Sequence, residues 1–225
     1  MGDTDQQFAA LRGLWNNHLM RVELKTAKDL ATQLKATAEK SGDPERRLIA
    51  ERADGTVLMA LGEHREANAC FHHGIALYDP KRHRHYMRRY GEDPGLWCYS
   101  YAAWTDDWLG YRDRALDESR RAIEIARERS TPLALVIALT GGTTLHQFRR
   151  EHAATLACAE EMIELADRLG LVQHRTWASI HKGWAQACGE KTGDGLAEIE
   201  TALATWRTIG GLNNRTHFLN LLAEV

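Results

Sequence analysis

The sequence has few of the residues that cross-link a small domain or place a chain in a membrane. Its 225 residues include only four cysteines, Cys70, Cys98, Cys158 and Cys188, with no Cys-x-x-Cys pair. This spacing argues against a disulfide framework or a zinc ribbon and favours buried, reduced thiols. No apolar run approaches the roughly 18 residues that span a bilayer, and the N-terminus lacks the basic and apolar regions of a signal peptide. We therefore expect a cytoplasmic protein without membrane contact.

The sequence also lacks an excess of charge of one sign. Twenty-nine Lys and Arg residues face 31 Asp and Glu residues, which gives a formal net charge of -2. A chain with this balance has no overall electrostatic attraction for nucleic acid or for an anionic membrane. Only a local basic patch could support such a partner.

Proline is scarce, and its positions indicate where helices begin. Three of the four prolines follow a residue that commonly caps a helix N-terminus, in Asp43-Pro44, Asp93-Pro94 and Thr131-Pro132. Strong helix formers fill the stretches between them, and no alternating strand pattern occurs. The sequence therefore predicts an all-α fold.

An internal repeat predicts the architecture. The anchor positions Ala27, Ala67, Ala115, Thr155 and Gly195 are separated by 40, 48, 40 and 40 residues, a period of 40 with one insertion of 8. Small residues recur twelve positions before most anchors, as expected where two helices approach closely. Each repeat is predicted to be an antiparallel helical hairpin in a right-handed superhelical solenoid, a single repeat domain over 1–225. The predicted hairpins are 5–40, 45–78, 95–129, 133–169 and 173–209, with a partial sixth at 215–225.

Four positions of the second hairpin carry a family resemblance. Gly55, Ala67, Phe71 and Gly74 lie where the tetratricopeptide repeat prefers small and aromatic residues. The usual period of that repeat is about 34, so a period of 40 implies longer helices. HEAT-type repeats share the longer period but lack this frame of small residues, and they are the second interpretation.

Six segments distributed over nearly the whole chain carry a second resemblance. They are 74–80, 90–95, 100–104, 145–151, 182–185 and 218–224. Together they resemble the helical repeat region that lies C-terminal to the AAA-type ATPase module of bacterial signalling proteins with a nucleotide-cyclase-like domain. The resemblance implies a regulatory scaffold and supplies no catalytic residue. The chain itself contains no phosphate-binding loop motif and no cyclase metal motif, and we expect no cofactor.

One stripe of the predicted first helices is the candidate binding surface. Trp97 and Trp104 recur two periods later as Trp177 and Trp184. First helices line the concave face of a solenoid, where aromatic side chains can anchor a peptide or a small apolar ligand. The alternative is that the stripe packs between neighbouring hairpins. The candidate groove residues are Arg52, Trp97, Tyr101, Trp104, Asp107, Trp108, Thr144, Gln147, Trp177, His181 and Trp184.

The insertion contains a cluster of cations. Residues 81–90 include five Lys or Arg, two His and two Tyr. Arginine with interleaved aromatics can bind phosphate and stack bases, and a loop that interrupts a regular repeat is a frequent functional site. The alternative, a solvated loop that pairs with surface acids, is preferred, so nucleic acid is not the expected partner. The candidate basic-loop residues are Arg82, Arg84, Arg88 and Arg89.

Neither a metal centre nor a catalytic site is indicated. None of the eleven histidines belongs to a complete zinc ligand set, and no nucleophile motif places a Ser or Cys beside a His. The predicted function is a non-catalytic interaction scaffold in signal transduction that binds a protein, a peptide or sibling domains of a longer bacterial polypeptide. The alternative is a sensor that binds a small-molecule inducer in the groove.

The last predicted helix is apolar where a terminal repeat is normally polar. Phe218, Leu219, Leu221 and Leu222 are expected to lie on an unpaired helix. This pattern predicts either further repeats downstream or self-association through the C-terminal end.

Overall fold

The fold is helical throughout the part of the chain that is described. A computed structural model describes residues 2–87, 91–129, 131–189, 192–210, 212 and 214–225. Across these ranges the chain forms eleven α-helices, one short 3-10 helix (Arg82–His85) and no strand, which confirms the all-α prediction. None of the described helices is long and apolar enough to cross a bilayer.

Few residues separate consecutive helices, except between Leu77 and Pro94. Each hairpin end lies within three residues of its predicted position. In chain order the helices are α1 (Gly2–Met20), α2 (Leu24–Ser41), α3 (Pro44–Ala60), α4 (His64–Leu77), α5 (Pro94–Trp108), α6 (Arg112–Glu128), α7 (Pro132–Phe148), α8 (His152–Leu169), α9 (Val172–Ala187), α10 (Thr192–Thr208) and α11 (Arg215–Ala223).

The chain divides into two compact units, residues 1–115 and 116–225. In the first unit each of the helices α1 to α5 packs on the next, and α3 also packs on α5. In the second unit α7 to α10 pack in the same sequential manner, α7 also contacts α9, and α11 packs on α9 and α10. Sequential packing of this kind is typical of stacked helical hairpins. That the whole chain forms a single repeat domain stays a prediction.

Two of the predicted helix caps are formed by aspartate. The Asp43 carboxylate accepts a hydrogen bond from Glu45 N, and the Asp93 carboxylate accepts from Gly95 N and Leu96 N. The third, Thr131, precedes α7 without a side-chain capping bond. An aspartate cap satisfies backbone donors that the first turn of a helix leaves unpaired.

Small residues lie where helices touch. A Cβ atom on Gly195 of α10 would lie 2.4 Å from the carbonyl oxygen of Gly183 on α9, and one on Gly183 would lie 2.7 Å from the carbonyl oxygen of Gly195. In the second hairpin, a Cβ atom on Gly55 would lie 2.6 Å from the ring of Phe71. The recurring small residues therefore allow the two helices of a hairpin to approach more closely than larger side chains permit.

The C-terminal helix packs on the second unit, and the prediction that its apolar residues are unpaired is wrong for two of them. Phe218 and Leu221 are buried, and the Phe218 ring lies 5.0 Å from the Trp177 ring and 5.1 Å from the Trp206 ring. Leu219 is exposed. Self-association through this end stays a prediction.

A substitution at the contact between α9 and α10 tests whether the recurring small residues are needed for close helix packing. Gly195→Ala is expected to lower the free energy of unfolding by about 1–3 kcal/mol, because the added methyl group overpacks a backbone contact. Gly193→Ala is the control, since a Cβ atom there meets nothing within 4 Å. Urea denaturation compares the two variants with the wild type. Equal stability of the two variants would contradict the close approach.

Candidate functional site

The predicted groove residues fall into two sets, one in each compact unit. The first unit holds Arg52, Trp97, Tyr101, Trp104, Asp107 and Trp108. The second holds Thr144, Gln147, Trp177, His181 and Trp184.

In the first unit, Arg52 lies between two indole rings. Its guanidinium carbon is 5.2 Å from the ring centroid of Trp15 on α1 and 5.8 Å from that of Trp97 on α5. Its Nη1 donates to Glu92 Oε1 at 2.7 Å, and Arg12 Nη1 donates to the same oxygen at 2.8 Å. Arg52 is only 4% exposed. These five residues are called the Arg52 cluster from here on.

The aromatic surface continues from this cluster along α5. The Trp97 and Tyr101 rings stack with centroids 5.1 Å apart, and Tyr101 meets Trp104 edge to face at 5.1 Å. Burial raises the pKa of Tyr101 to about 12, further above physiological pH than its ordinary value of about 10. Trp97 and Tyr101 are half-buried, whereas Trp104 is buried. The cluster therefore reaches the surface through Trp97 and Tyr101.

The end of α5 presents an exposed tryptophan. Trp108 is 41% exposed, and its ring centroid lies 4.8 Å from that of His64 at the start of α4. Asp107 beside it is half-buried. Trp108 is thus the candidate groove tryptophan in the first unit that a partner can reach most directly.

In the second unit the aromatic stripe is buried. Trp177 Nε1 donates to Thr144 Oγ1 at 3.1 Å, and the Trp177 ring stacks on His181 with centroids 5.7 Å apart. This stack repeats the Trp97–Tyr101 pair two periods along the chain. Trp184 is fully buried and donates to Glu224 Oε2 at 2.9 Å. Burial of these side chains is what packing between hairpins predicts, and their part in binding stays a hypothesis.

Gln147 is the fifth candidate in the second unit and lies near the end of α7. It is 5% exposed. Its side-chain oxygen has no hydrogen-bond partner among the described residues. A buried amide oxygen of this kind has unused capacity to accept a hydrogen bond.

Sequence reasoning identified Arg52 and Trp97 but missed three members of the Arg52 cluster. Trp15 lies twelve positions before the anchor Ala27, in the same repeat column as Gly55. This shared column is the one feature of the sequence that could have indicated Trp15. Arg12 and Glu92 are 80 residues apart in sequence. This separation equals two periods, but the insertion of 8 moves Glu92 out of the repeat frame, so the repeat does not align it with Arg12.

Two rings in the described part of the basic loop are buried. Arg82 is exposed at the start of the 3-10 helix, whereas His83 and Tyr86 are buried with their rings stacked 4.8 Å apart. The Arg84 side chain and the residues Arg88 and Arg89 lie outside the described residues. Binding of nucleic acid by this loop is therefore untested.

The thiols are poor nucleophiles. Burial raises the pKa of Cys70 to about 12 and that of Cys158 to about 11, and it also raises the pKa of Cys98. The thiolate is the reactive form of cysteine, and these thiols are protonated at neutral pH.

The difference in stability between the Trp184→Ala and Trp108→Ala variants tests which of these tryptophans is needed for packing. Trp184→Ala is expected to lower the free energy of unfolding by roughly 3–5 kcal/mol, because it removes a buried indole. Trp108→Ala is expected to cost less than about 1 kcal/mol, since Trp108 is 41% exposed. Chemical denaturation of both variants provides the comparison. A Trp184→Ala variant as stable as Trp108→Ala would contradict the packing role.

Two histidines of the second unit are held neutral. The His181 Nδ1–H donates to the backbone oxygen of Trp177 at 2.9 Å, and its ring lies 5.6 Å from that of His217. Burial, together with the neighbouring His217, lowers the pKa of His181 to about 3. Burial lowers the pKa of His217 to about 4, against the opposing charge of Glu224.

These shifts predict that stability decreases with falling pH. At His181 and His217 the unfolded chain binds protons below about pH 6.5, whereas the folded chain does not until about pH 4 at His217 and about pH 3 at His181. The two neutral histidines therefore contribute their full stabilisation above pH 6.5. This contribution to the free energy of unfolding decreases as the pH is lowered from 6.5 towards 4. His217→Gln should reduce this slope by up to about 1.4 kcal/mol per pH unit.

The measurement is denaturant unfolding at pH values from 7 to 4.5. The control is His73→Gln, which removes an exposed histidine of the first unit. If the His217→Gln and wild-type slopes coincide, the buried position of His217 does not govern the pH response.

Comparison with known proteins gives distant similarities. No family model matches the chain. The chain is 22% identical over 226 residues to an uncharacterized protein of Rhizobium meliloti (strain 1021), in an alignment that covers 100% of this chain and 22% of that protein. The chain thus spans less than a quarter of the length of the curated relative it matches. A tetratricopeptide repeat protein from Parabacteroides merdae ATCC 43184 gives a TM-score of 0.37 at 12% identity, covering 97% of this chain and 98% of the other.

Proposed function

We propose that this chain is a non-catalytic protein-interaction scaffold that binds a partner segment on the aromatic surface of its first unit. The observation that carries the proposal is a guanidinium held between two indoles beside the half-buried Trp97 and Tyr101. Tryptophan, tyrosine and arginine are the residues that most often dominate binding energy at protein interfaces. Their side chains are already ordered here, so a partner pays little entropy to engage them.

The arrangement of helices supports an elongated partner. Arg52 lies on α3, and Trp97, Tyr101 and Trp108 follow one another along α5 over three turns, with α3 packed against α5. Trp97 and Trp108 are eleven residues apart on one helix, or about 16 Å at the usual rise of 1.5 Å per residue. A surface of that length suits an extended peptide or one face of a helix.

We further propose that the scaffold is a regulatory module of a longer signalling polypeptide. The basis is the resemblance to the repeat region that follows the ATPase module of cyclase-like bacterial proteins. The length of the relative from Rhizobium meliloti supports a longer polypeptide, since the aligned region occupies only 22% of that protein. The partner is then a sibling domain or a separate cytoplasmic protein.

A small-molecule sensor is the second candidate function, and a specific observation favours it. In the described part of the second unit, buried Thr143 Oγ1, Gln147 Oε1 and His217 Nε2 have no hydrogen-bond partner. A polar ligand could satisfy such atoms. A metabolite that raises the melting temperature would support this function, because a ligand that binds only the folded state stabilises it.

Selection from a random peptide library displayed on phage tests the scaffold. We expect peptides that bind the purified chain and that bind Trp108→Ala at least tenfold more weakly, which corresponds to about 1.4 kcal/mol. The control is Leu169→Ala in the second unit, since Leu169 is 42% exposed and Trp108 is 41% exposed. Fluorescence anisotropy gives the dissociation constants. Failure to select any peptide, together with a metabolite that stabilises the chain, would favour the sensor instead.

A further inference from the structure

His83 closes the turn that contains the 3-10 helix. The residue is 2% exposed, although it lies in the basic loop. Its side-chain Nδ1 accepts a hydrogen bond from Asp79 N at 3.1 Å, and its backbone N donates to Asp79 O at 2.9 Å. The side chain and the backbone of His83 thus both bind the residue four positions earlier. Residues 79–86 are called the His83 segment from here on.

The imidazole also joins this segment to the start of α5. Its ring stacks on the Tyr86 ring with centroids 4.8 Å apart and on the Tyr78 ring with centroids 5.7 Å apart. Both tyrosines are buried. The Tyr78 hydroxyl donates to Asp93 Oδ2 at 2.7 Å, and Asp93 caps α5. The His83 ring is therefore part of the packing that holds the segment in place.

The hydrogen bond from Asp79 N fixes the protonation state that this packing accepts. A backbone N–H can only donate, so the Nδ1 atom that faces it must be unprotonated. The proton of the neutral ring is then on Nε2, which has no hydrogen-bond partner among the described residues. Protonation of Nδ1 would place two donors against each other and leave both ring N–H groups without an acceptor. A charged imidazole is therefore solvated better in water than in the closed segment.

The charges around the ring oppose each other. Three carboxylates favour a charged imidazole, and the guanidinium of Arg82 disfavours it. Burial has the largest effect and lowers the pKa of His83 below its ordinary value of 6.5. Burial and the hydrogen bond from Asp79 N thus both favour the neutral ring. The three carboxylates are those of Glu45 at the start of α3, Asp79 in the segment and Asp93 before α5.

We infer that His83 is a pH-sensitive latch, whose neutral ring keeps the His83 segment closed and whose protonation opens the segment. Opening breaks the bond from Asp79 N to Nδ1 and moves the ring from the tyrosine stack into water, where both ring N–H groups find acceptors. The α-helices of the first unit stay folded in the open form. The inference concerns this segment alone and does not depend on the proposed function.

The sign of the pH dependence follows from proton binding. The open segment binds a proton at His83 below about pH 6.5, whereas the closed segment binds it only at a lower pH. The closed form therefore has its full advantage above pH 6.5 and loses it as the pH falls below that value. Because one proton is involved, the equilibrium constant for opening rises by up to about tenfold per pH unit.

Hydrogen–deuterium exchange of the full chain at pH 7 and pH 5, corrected for the intrinsic pH dependence of exchange, measures this opening. Lys81 N and Arg82 N report it, since they donate to Asp79 Oδ1 at 2.9 and 3.2 Å. Those bonds lower the pKa of Asp79, so its carboxylate stays charged in this range. We expect protection of the segment to fall at least about fivefold from pH 7 to pH 5, with α3 changing less.

Two matched variants assign the response to His83. His83→Asn keeps an acceptor, since Oδ1 of asparagine and Nδ1 of histidine are both bonded to Cγ, but it removes the titration. Protection of the segment in this variant should be the same at pH 7 and pH 5. The control is His85→Asn, which removes an exposed histidine of the same 3-10 helix that pairs with Glu45 Oε2 at 3.2 Å. This variant should keep the wild-type response.

A measurement on the wild-type chain keeps the test informative if His83→Asn leaves the segment open at every pH. Nitrogen-15 chemical shifts of the imidazole distinguish the two neutral tautomers and follow protonation. We expect His83 to be protonated on Nε2 alone at pH 7 and to titrate below pH 6.5.

Four results would overturn the latch. The first is equal protection of the segment at pH 7 and pH 5. The second is an equal loss of protection in α3, because the whole first unit then unfolds. The third is a His83→Asn variant with the wild-type response. The fourth is a His83 ring that carries its proton on Nδ1 at pH 7 or that titrates at or above pH 6.5.

Discussion

Close contact between helix backbones is the constraint on which the rest of the structure depends. Gly183 and Gly195 bring α9 and α10 together until the carbonyl oxygen of each lies within 2.7 Å of where the other's Cβ atom would be. In the first unit Gly55 allows the Phe71 ring to pack on the backbone of α3. Large side chains of the first helices reach other helices: Trp97 on α5 packs on Arg52 of α3, and Trp177 on α9 packs on Phe218 of α11.

The same spacing produces related aromatic pairs with different chemistry. Trp97 stacks on Tyr101 and Trp177 stacks on His181, two periods apart. In the second unit the pair is buried and its histidine is neutral, so it contributes to the hydrophobic interior. In the first unit the pair is half-buried beside Arg52, so it forms part of a surface. The same two repeat positions thus belong to the hydrophobic interior in the second unit and to a candidate interface in the first unit.

The Arg52 cluster also relates the irregular part of the chain to the regular part. The repeat supplies Trp15, Arg52 and Trp97 from three different helices, and the segment that breaks the period supplies Glu92. A buried guanidinium is costly unless a carboxylate accompanies it. The insertion therefore brings a compensating charge to a position that the repeat alone leaves cationic. This explains why an irregular segment lies beside the candidate binding surface.

The sequence by itself determined the helices and the columns of small residues, because these follow from local propensity and from a period that can be counted. It also indicated Arg52, Trp97 and Trp108 as surface candidates, since each falls on one stripe of a first helix. Only the tertiary structure decided which tryptophans are buried, because Trp108 and Trp184 occupy similar stripes and differ in what packs over them. It alone joined Arg12 to Glu92, and it alone placed Phe218 against Trp177 and Trp206. Those contacts depend on how helices that are distant in sequence pack together, and the repeat period does not predict this packing.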